Sequence, residues 1–124
     1  MKFIQSNIKK AKKYLDNNHC VAVPTETVYG LAANAYSNSA VKKIFSLKKR
    51  PLNNPLIVHY YDIHRLKEDC DINDNLVKLY KKFSPGPITY VLKLKNKSKI
   101  SKFVTNKKKV LLYVFLNINC SEIY

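Results

Sequence analysis

The sequence lacks long apolar runs, closely spaced cysteines and a large number of acidic residues. No apolar stretch approaches the roughly 20 residues that cross a bilayer, and the lysine-rich start does not have the pattern of a secretory signal. We therefore predict a cytoplasmic protein without a membrane span. Cys20, Cys70 and Cys120 lie 50 residues apart, without the spacing of zinc or redox motifs. A disulfide framework or a metal site is therefore not expected.

The scarcity of acidic side chains leaves a strongly basic chain. Eight acidic residues face 23 basic ones, and the formal net charge is +15. Such a surface attracts polyanions, including nucleotides, RNA and acidic lipid headgroups. The alternative is codon bias from an AT-rich genome, because 21 of the basic residues are lysine and only two are arginine. The composition alone leaves both explanations open.

The 124 residues, 46% of them apolar, suit one globular domain. Apolar periodicity predicts helices over residues 6–16, 28–33, 62–68 and 74–83, with a further helix ending before Pro51, and strands over residues 20–23, 56–60 and 88–94. Helices and strands that alternate in this way predict an α/β fold, with a sheet covered by helices.

Residues 21–35, VAVPTETVYGLAANA, place two hydroxyls and a carboxylate between a buried strand and the predicted start of a helix. Ligands of α/β proteins bind at such edges, because unpaired N–H groups there carry partial positive charge. The segment is thus a candidate anion or amino-acid site. An ordinary capped strand-to-helix turn would give the same pattern.

Residues 45–59, FSLKKRPLNNPLIVH, place cations where a helix passes into a loop. Arginine binds phosphate oxygens in pairs and lysine supplies a mobile point charge, so Lys48 and Arg50 would suit a triphosphate. The alternative is a solvated basic helix end. His59 follows an apolar strand and could bind a small ligand, or it could be purely structural. Further along, the segment SPGPIT at residues 84–89 is a rigid turn.

These segments together resemble the YrdC family of threonylcarbamoyl-AMP synthases. That family carries P-T-E-T-V-Y-G-L, then K-x-R-P followed by N-P-L-I-V-H, then P-G-P with a threonine two positions on, and all three occur here in order. The resemblance covers about residues 1–106. It implies a YrdC-like twisted mixed sheet with flanking helices, enclosing a positively charged cavity.

The resemblance also implies an activity and a site. The family joins L-threonine, bicarbonate or CO2 and ATP into threonylcarbamoyl-AMP and releases pyrophosphate, with Mg²⁺ expected through the phosphates. Partner proteins then transfer the threonylcarbamoyl group to tRNA. Thr27 and His59 are implied as threonine contacts, and Lys48, Arg50 and Asn54 as ATP contacts. A second reading is a non-catalytic module that binds double-stranded RNA or tRNA, and a third is a decayed gene product.

The resemblance stops before the end of the chain. The family's later V-x-V-R-x-P and S-A-N segments do not occur, and residues 107–124 do not match it. We therefore expect a fold that is incomplete at the C-terminus, an unpaired edge on the strand over residues 88–94, and impaired activity. Codons chosen for residues 110–117 can encode S-I-A-V-R-I-P-K in a shifted frame. A single-nucleotide slip in the preceding lysine codons is our hypothesis for this tail.

Overall fold

The fold consists of four helices and five strands over the residues that the computed structural model describes, which are 5–24, 29–86 and 88–115. In chain order the elements are α1 (Gln5–Asp16), β1 (Val21–Pro24), β2 (Tyr29–Ala32), α2 (Asn38–Lys48), β3 (Ile57–Tyr60), α3 (Ile63–Asp69), α4 (Asp74–Phe83), β4 (Tyr90–Lys93) and β5 (Val110–Phe115). The predicted α/β class is confirmed. None of the helices in these ranges is long and apolar enough to pass through a membrane.

The strands form two sheets. β1 and β2 make an antiparallel pair, and the other sheet has the order β3-β5-β4. In this second sheet β5 runs parallel to β3 and antiparallel to β4, so it is mixed, as predicted. The register places Leu112 beside Ile57 on one side and beside Val91 on the other. The last described strand is therefore the centre of the larger sheet.

The predicted helix over residues 28–33 is wrong, because Tyr29–Ala32 is strand β2. It pairs along its whole length with β1, from Val21 opposite Ala32 to Pro24 opposite Tyr29. Gly30 lies in the middle of this segment, and glycine costs about 1 kcal/mol relative to alanine inside a helix. A short segment with weak helix propensity is stabilised instead by the backbone hydrogen bonds that β1 offers.

The strand predicted at residues 88–94 has a partner, so the expectation that it lacks its later neighbours is corrected, although β4 remains at the edge of the sheet. β4 is paired with β5 from Tyr90 opposite Tyr113 to Lys93 opposite Val110. The sequence VLLYVF of β5 is a continuous apolar run, which is typical of a strand with neighbours on both sides. The apolar segment at residues 110–115 thus supplies the partner that β4 was expected to lack.

The core lies between α2, α3 and β3. Val41 and Phe45 of α2 pack with Val58 of β3 and Leu66 of α3, and all four are buried. Val41 and Phe45 are four residues apart, so they share one face of the helix. The packing fixes α2 against β3 and thereby fixes the loop that joins them, which carries several of the predicted site residues.

Candidate functional site

A cavity of about 520 Å³ opens between the two sheets. Val23 of β1 and Gly30 to Ala32 of β2 line one side, and β3 lines the other. The C-terminal end of α2 and the loop after β2 complete the wall. The cavity is therefore placed where the two sequence motifs meet, although each motif belongs to a different sheet.

Three cationic side chains line this cavity: Lys48, Arg50 and Arg65. Lys48 is the last residue of α2, and Lys49 after it adopts the left-handed conformation, with φ of 49°. The Lys49 and Arg50 N–H groups then bond back to the last turn, at Ser46 O and Phe45 O. This helix ending turns the chain between Lys48 and Arg50 while leaving both on the cavity wall. Asp16 is an acidic residue in the same lining.

The loop itself holds the guanidinium of Arg50. Its Nη2 donates to Pro55 O at 2.7 Å, and its Nε donates to Asn54 O at 3.3 Å. A guanidinium has five N–H donors, so these bonds fix its direction and leave donors for a ligand. Arginine suits this double task better than lysine, because its donors lie in a rigid planar fork.

His59 lies on β3 and lines the same cavity as Lys48 and Arg50. It is partly buried and alternates with Val58 and Tyr60, which are buried. Such alternation places His59 on the opposite face of the strand from its two neighbours. The structure therefore brings three of the five residues implied by the resemblance to one cavity.

The remaining two of the five implied contacts are Asn54 and Thr27. Asn54 is exposed and is not among the residues that line the cavity. Its backbone takes part in the loop, since its N–H donates to Pro51 O at 3.0 Å and its carbonyl accepts from Arg50. The proposed contact of Asn54 with ATP stays a prediction. Thr27 lies outside the described residues.

A buried carboxylate that the sequence did not predict is hydrogen-bonded to two residues of the cavity wall. Asp69, which is 2% exposed, accepts hydrogen bonds at Oδ2 from the hydroxyls of Tyr36 and Tyr60, each at 2.7 Å. Both tyrosines line the cavity. One signal was available in the sequence: Asp69 lies three residues after Leu66 and directly before Cys70, within the apolar stripe of α3.

Burial raises the pKa of both tyrosines above the usual value, and the hydrogen bond to Asp69 and its charge raise it further. Both phenols therefore remain protonated at neutral pH and act as donors to the carboxylate.

Arg65 is a further residue of the cavity wall that the sequence did not predict as part of the site. Its rarity could have indicated it, because it is one of only two arginines in a chain rich in lysine.

Comparison with known proteins identifies the family. The Sua5/YciO/YrdC family model, described as telomere recombination, matches residues 13–111. The chain belongs to this family, and the resemblance inferred from its motifs is confirmed.

Named relatives and solved structures agree with this assignment. The chain is 48% identical over 89 residues to a threonylcarbamoyl-AMP synthase of Bacillus subtilis, covering 71% of this chain and 26% of that protein. It is 45% identical over 86 residues to the synthase of Pyrococcus abyssi, covering 68% and 25%. The structure of P. abyssi Sua5 complexed with L-threonine superposes with a TM-score of 0.90 at 33% identity, covering 98% of this chain and 35% of that one. The chain thus spans about a quarter of the length of these two curated relatives.

Proposed function

We propose that the cavity binds the substrates of threonylcarbamoyl-AMP synthesis, with L-threonine near His59 and the ATP phosphates near Lys48 and Arg50. The observation that carries this proposal is that these three residues of the second motif line one cavity together with residues 30–32 of the first motif. Relatives that share the motifs are named threonylcarbamoyl-AMP synthase, and a related structure holds L-threonine.

The reaction explains why cations are needed. The amine of threonine loses a proton and attacks CO2, which forms a carbamate. A carbamate oxygen then attacks the α-phosphorus of ATP, and the bond to the β-phosphate breaks to release pyrophosphate. Several negative charges converge in this step, so fixed cations and correct positioning supply much of the rate.

Two parts of the cavity wall suit the two substrates: the phosphate end, with Lys48 and Arg50, and the threonine end, with His59. Lys48 and Arg50 lie together where α2 ends, and the loop fixes the direction of Arg50. This arrangement supports a phosphate contact, with the Asn54 loop beside it. His59 lies further along on β3, where an imidazole can bond to the hydroxyl or carboxylate of an amino acid. We assign Thr27 to the threonine end on its motif alone.

The remaining partners follow from the same proposal. Mg²⁺ would bind through the ATP phosphates and offset their charge. The net charge of +15 supports an encounter with tRNA or double-stranded RNA, and threonylcarbamoyl-transfer proteins would take up the product. ATP and tRNA are both cytoplasmic, which supports that location. We assign residues 1–106 to the YrdC-like domain and residues 107–124 to a tail whose sequence does not match the family, although its first part supplies strand β5 to the same sheet.

Calorimetry tests the binding step. Titration of the chain with L-threonine, and separately with ATP and Mg²⁺, should show saturable one-site binding. D-threonine is the matched control. It should bind at least about tenfold more weakly, which corresponds to a loss of about 1.4 kcal/mol. Pyrophosphate release that depends on threonine would extend the proposal from binding to synthesis. A folded chain that binds neither L-threonine nor ATP would overturn it.

A further inference from the structure

The buried carboxylate of Asp69 connects three separate segments of the chain. Its Oδ2 accepts from the hydroxyls of Tyr36 and Tyr60, and its Oδ1 accepts from the Ser98 hydroxyl at 2.6 Å. Its backbone carbonyl accepts from the Lys95 N–H at 2.7 Å. Within the described part of the chain, the carboxylate is therefore bonded to hydroxyls and not to a cation.

These bonds join the two sheets behind the cavity. Tyr36 lies in the loop after β2, which is a strand of the smaller sheet. Tyr60 is the last residue of β3, which is a strand of the larger sheet. An ionised carboxylate only accepts hydrogen bonds, so each hydroxyl must donate, and its direction is thereby fixed. One side chain thus sets the position of two aromatic rings on the cavity wall.

Stability alone does not explain a carboxylate at this position. Leu66 and Cys70 beside it are fully buried, and an apolar residue there would avoid the cost of removing a charge from water. Tyr36 is 48% exposed, so packing holds its ring only in part. The hydrogen bond from its hydroxyl to Asp69 adds a second restraint.

Tyr60 also connects this network to the site, because it directly follows His59 on β3. Fixing the Tyr60 hydroxyl fixes the end of the strand that carries the imidazole. Lys48 and Arg50, in contrast, are held by the end of α2 and by the carbonyls of Asn54 and Pro55. The network should therefore affect the threonine end of the cavity more than the phosphate end.

We propose that Asp69 is a positioning residue, which holds Tyr36 and Tyr60 on the cavity wall and thereby sets the affinity for L-threonine. This inference rests on the proposed function, since it names threonine as the ligand. Asp69 itself contacts the tyrosine hydroxyls and not the ligand.

The test uses Asp69→Asn in the full chain, which keeps the shape of the side chain but removes its charge. We expect threonine affinity to fall about tenfold and ATP affinity to change less than about threefold, as losses of roughly 1.4 and 0.7 kcal/mol would give. Hydrogen exchange of the loop amides at residues 34–37 should accelerate. The control is Asp62→Ala, which removes the N-cap of the same helix and should lower stability without changing threonine affinity.

A second variant keeps the test valid if Asp69→Asn does not fold. Tyr36→Phe retains the ring but loses the hydroxyl, so it should weaken threonine binding, and the loss in a Tyr36→Phe/Asp69→Asn double variant should be smaller than the product of the single losses. Unchanged threonine affinity in both folded single variants would overturn the inference. If the unmodified chain binds no threonine, the proposed function fails, whereas the exchange rates at residues 34–37 still decide whether Asp69 holds the wall.

Discussion

Replacing Arg50 with alanine should separate ligand binding from general basic charge. Arg50 lines the cavity, and its guanidinium is directed by bonds to Pro55 O and Asn54 O. Lys49 is the matched control, since it carries the same charge one residue away but is not part of the cavity lining. Both variants remove one positive charge, so the attraction of the whole surface for ATP falls equally in each.

The size of the effect follows from the type of contact. A hydrogen bond to a charged group contributes about 1.5–3 kcal/mol, which corresponds to a loss of about 10- to 150-fold in ATP affinity for Arg50→Ala. Lys49→Ala loses only exposed, screened charge, for which about 0.5 kcal/mol or roughly twofold is expected. Arg50→Ala also loses the two loop bonds, so its unfolding free energy should fall by about 1–3 kcal/mol.

The assay is calorimetric titration with ATP and Mg²⁺, accompanied by a thermal melt of each variant. Arg50→Lys is a further control, because it restores the charge without the planar fork and should recover only part of the affinity. Equal losses of ATP affinity in Arg50→Ala and Lys49→Ala would refute the reasoning. The bound phosphates would then be responding to the overall field and not to a specific contact.

Further predictions concern stability and the gene. Gly86→Ala should destabilise the fold by about 1–3 kcal/mol in urea unfolding, because the added Cβ would lie 2.5 Å from Phe83 O; an unchanged midpoint would contradict this. Burial raises the pKa of Cys70 to about 12 and also raises that of Tyr36 and Tyr60. For the buried Cys70 and Tyr60, the stability these groups contribute is present below the unfolded-state pKa values, near 9 and 10, and is lost as pH rises further, by up to about 1.4 kcal/mol per pH unit for each group. Tyr36, which is 48% exposed, contributes less, because solvent screens its interactions. Unfolding free energies that stay constant from pH 9 to the alkaline limit of the assay would show the buried network to be absent. The nucleotide sequence after codon 109 should encode V-R-x-P and then S-A-N in a shifted frame, and stop codons throughout that frame would reject the proposed origin of the tail.

Local patterns predicted the elements that depend on local interactions. A helix was predicted over residues 62–68, and the structure shows α3 there, with the Asp62 side chain at its N-cap accepting from the Arg65 N–H at 3.0 Å. The predicted bounds of α4, residues 74–83, agree with the observed Asp74–Phe83. These features depend on residues three or four apart, which a sequence displays directly.

Pairing between distant strands was harder to predict. The helix predicted over residues 28–33 is strand β2, because four residues carry little periodic signal and the strand depends on its partner β1. β5 lies more than 40 residues from β3 and forms the centre of the sheet with it, a contact that no local pattern specifies. The Asp69 network was not predicted for the same reason, namely that its contacts are distant in sequence. Tyr36 and Ser98 lie far apart along the chain and bond to one carboxylate.

The central claim is that L-threonine and ATP share the cavity between the two sheets, and amide chemical-shift mapping by NMR tests it most directly. Addition of ATP with Mg²⁺ should shift the amides of Lys48 and Arg50, and addition of L-threonine should shift those of His59 and Tyr60. Saturation of the first site should leave the second available, so the two sets of shifts should appear together in the presence of both ligands. Shifts that lie away from the cavity, or a chain whose folded spectrum responds to neither ligand, would contradict the account.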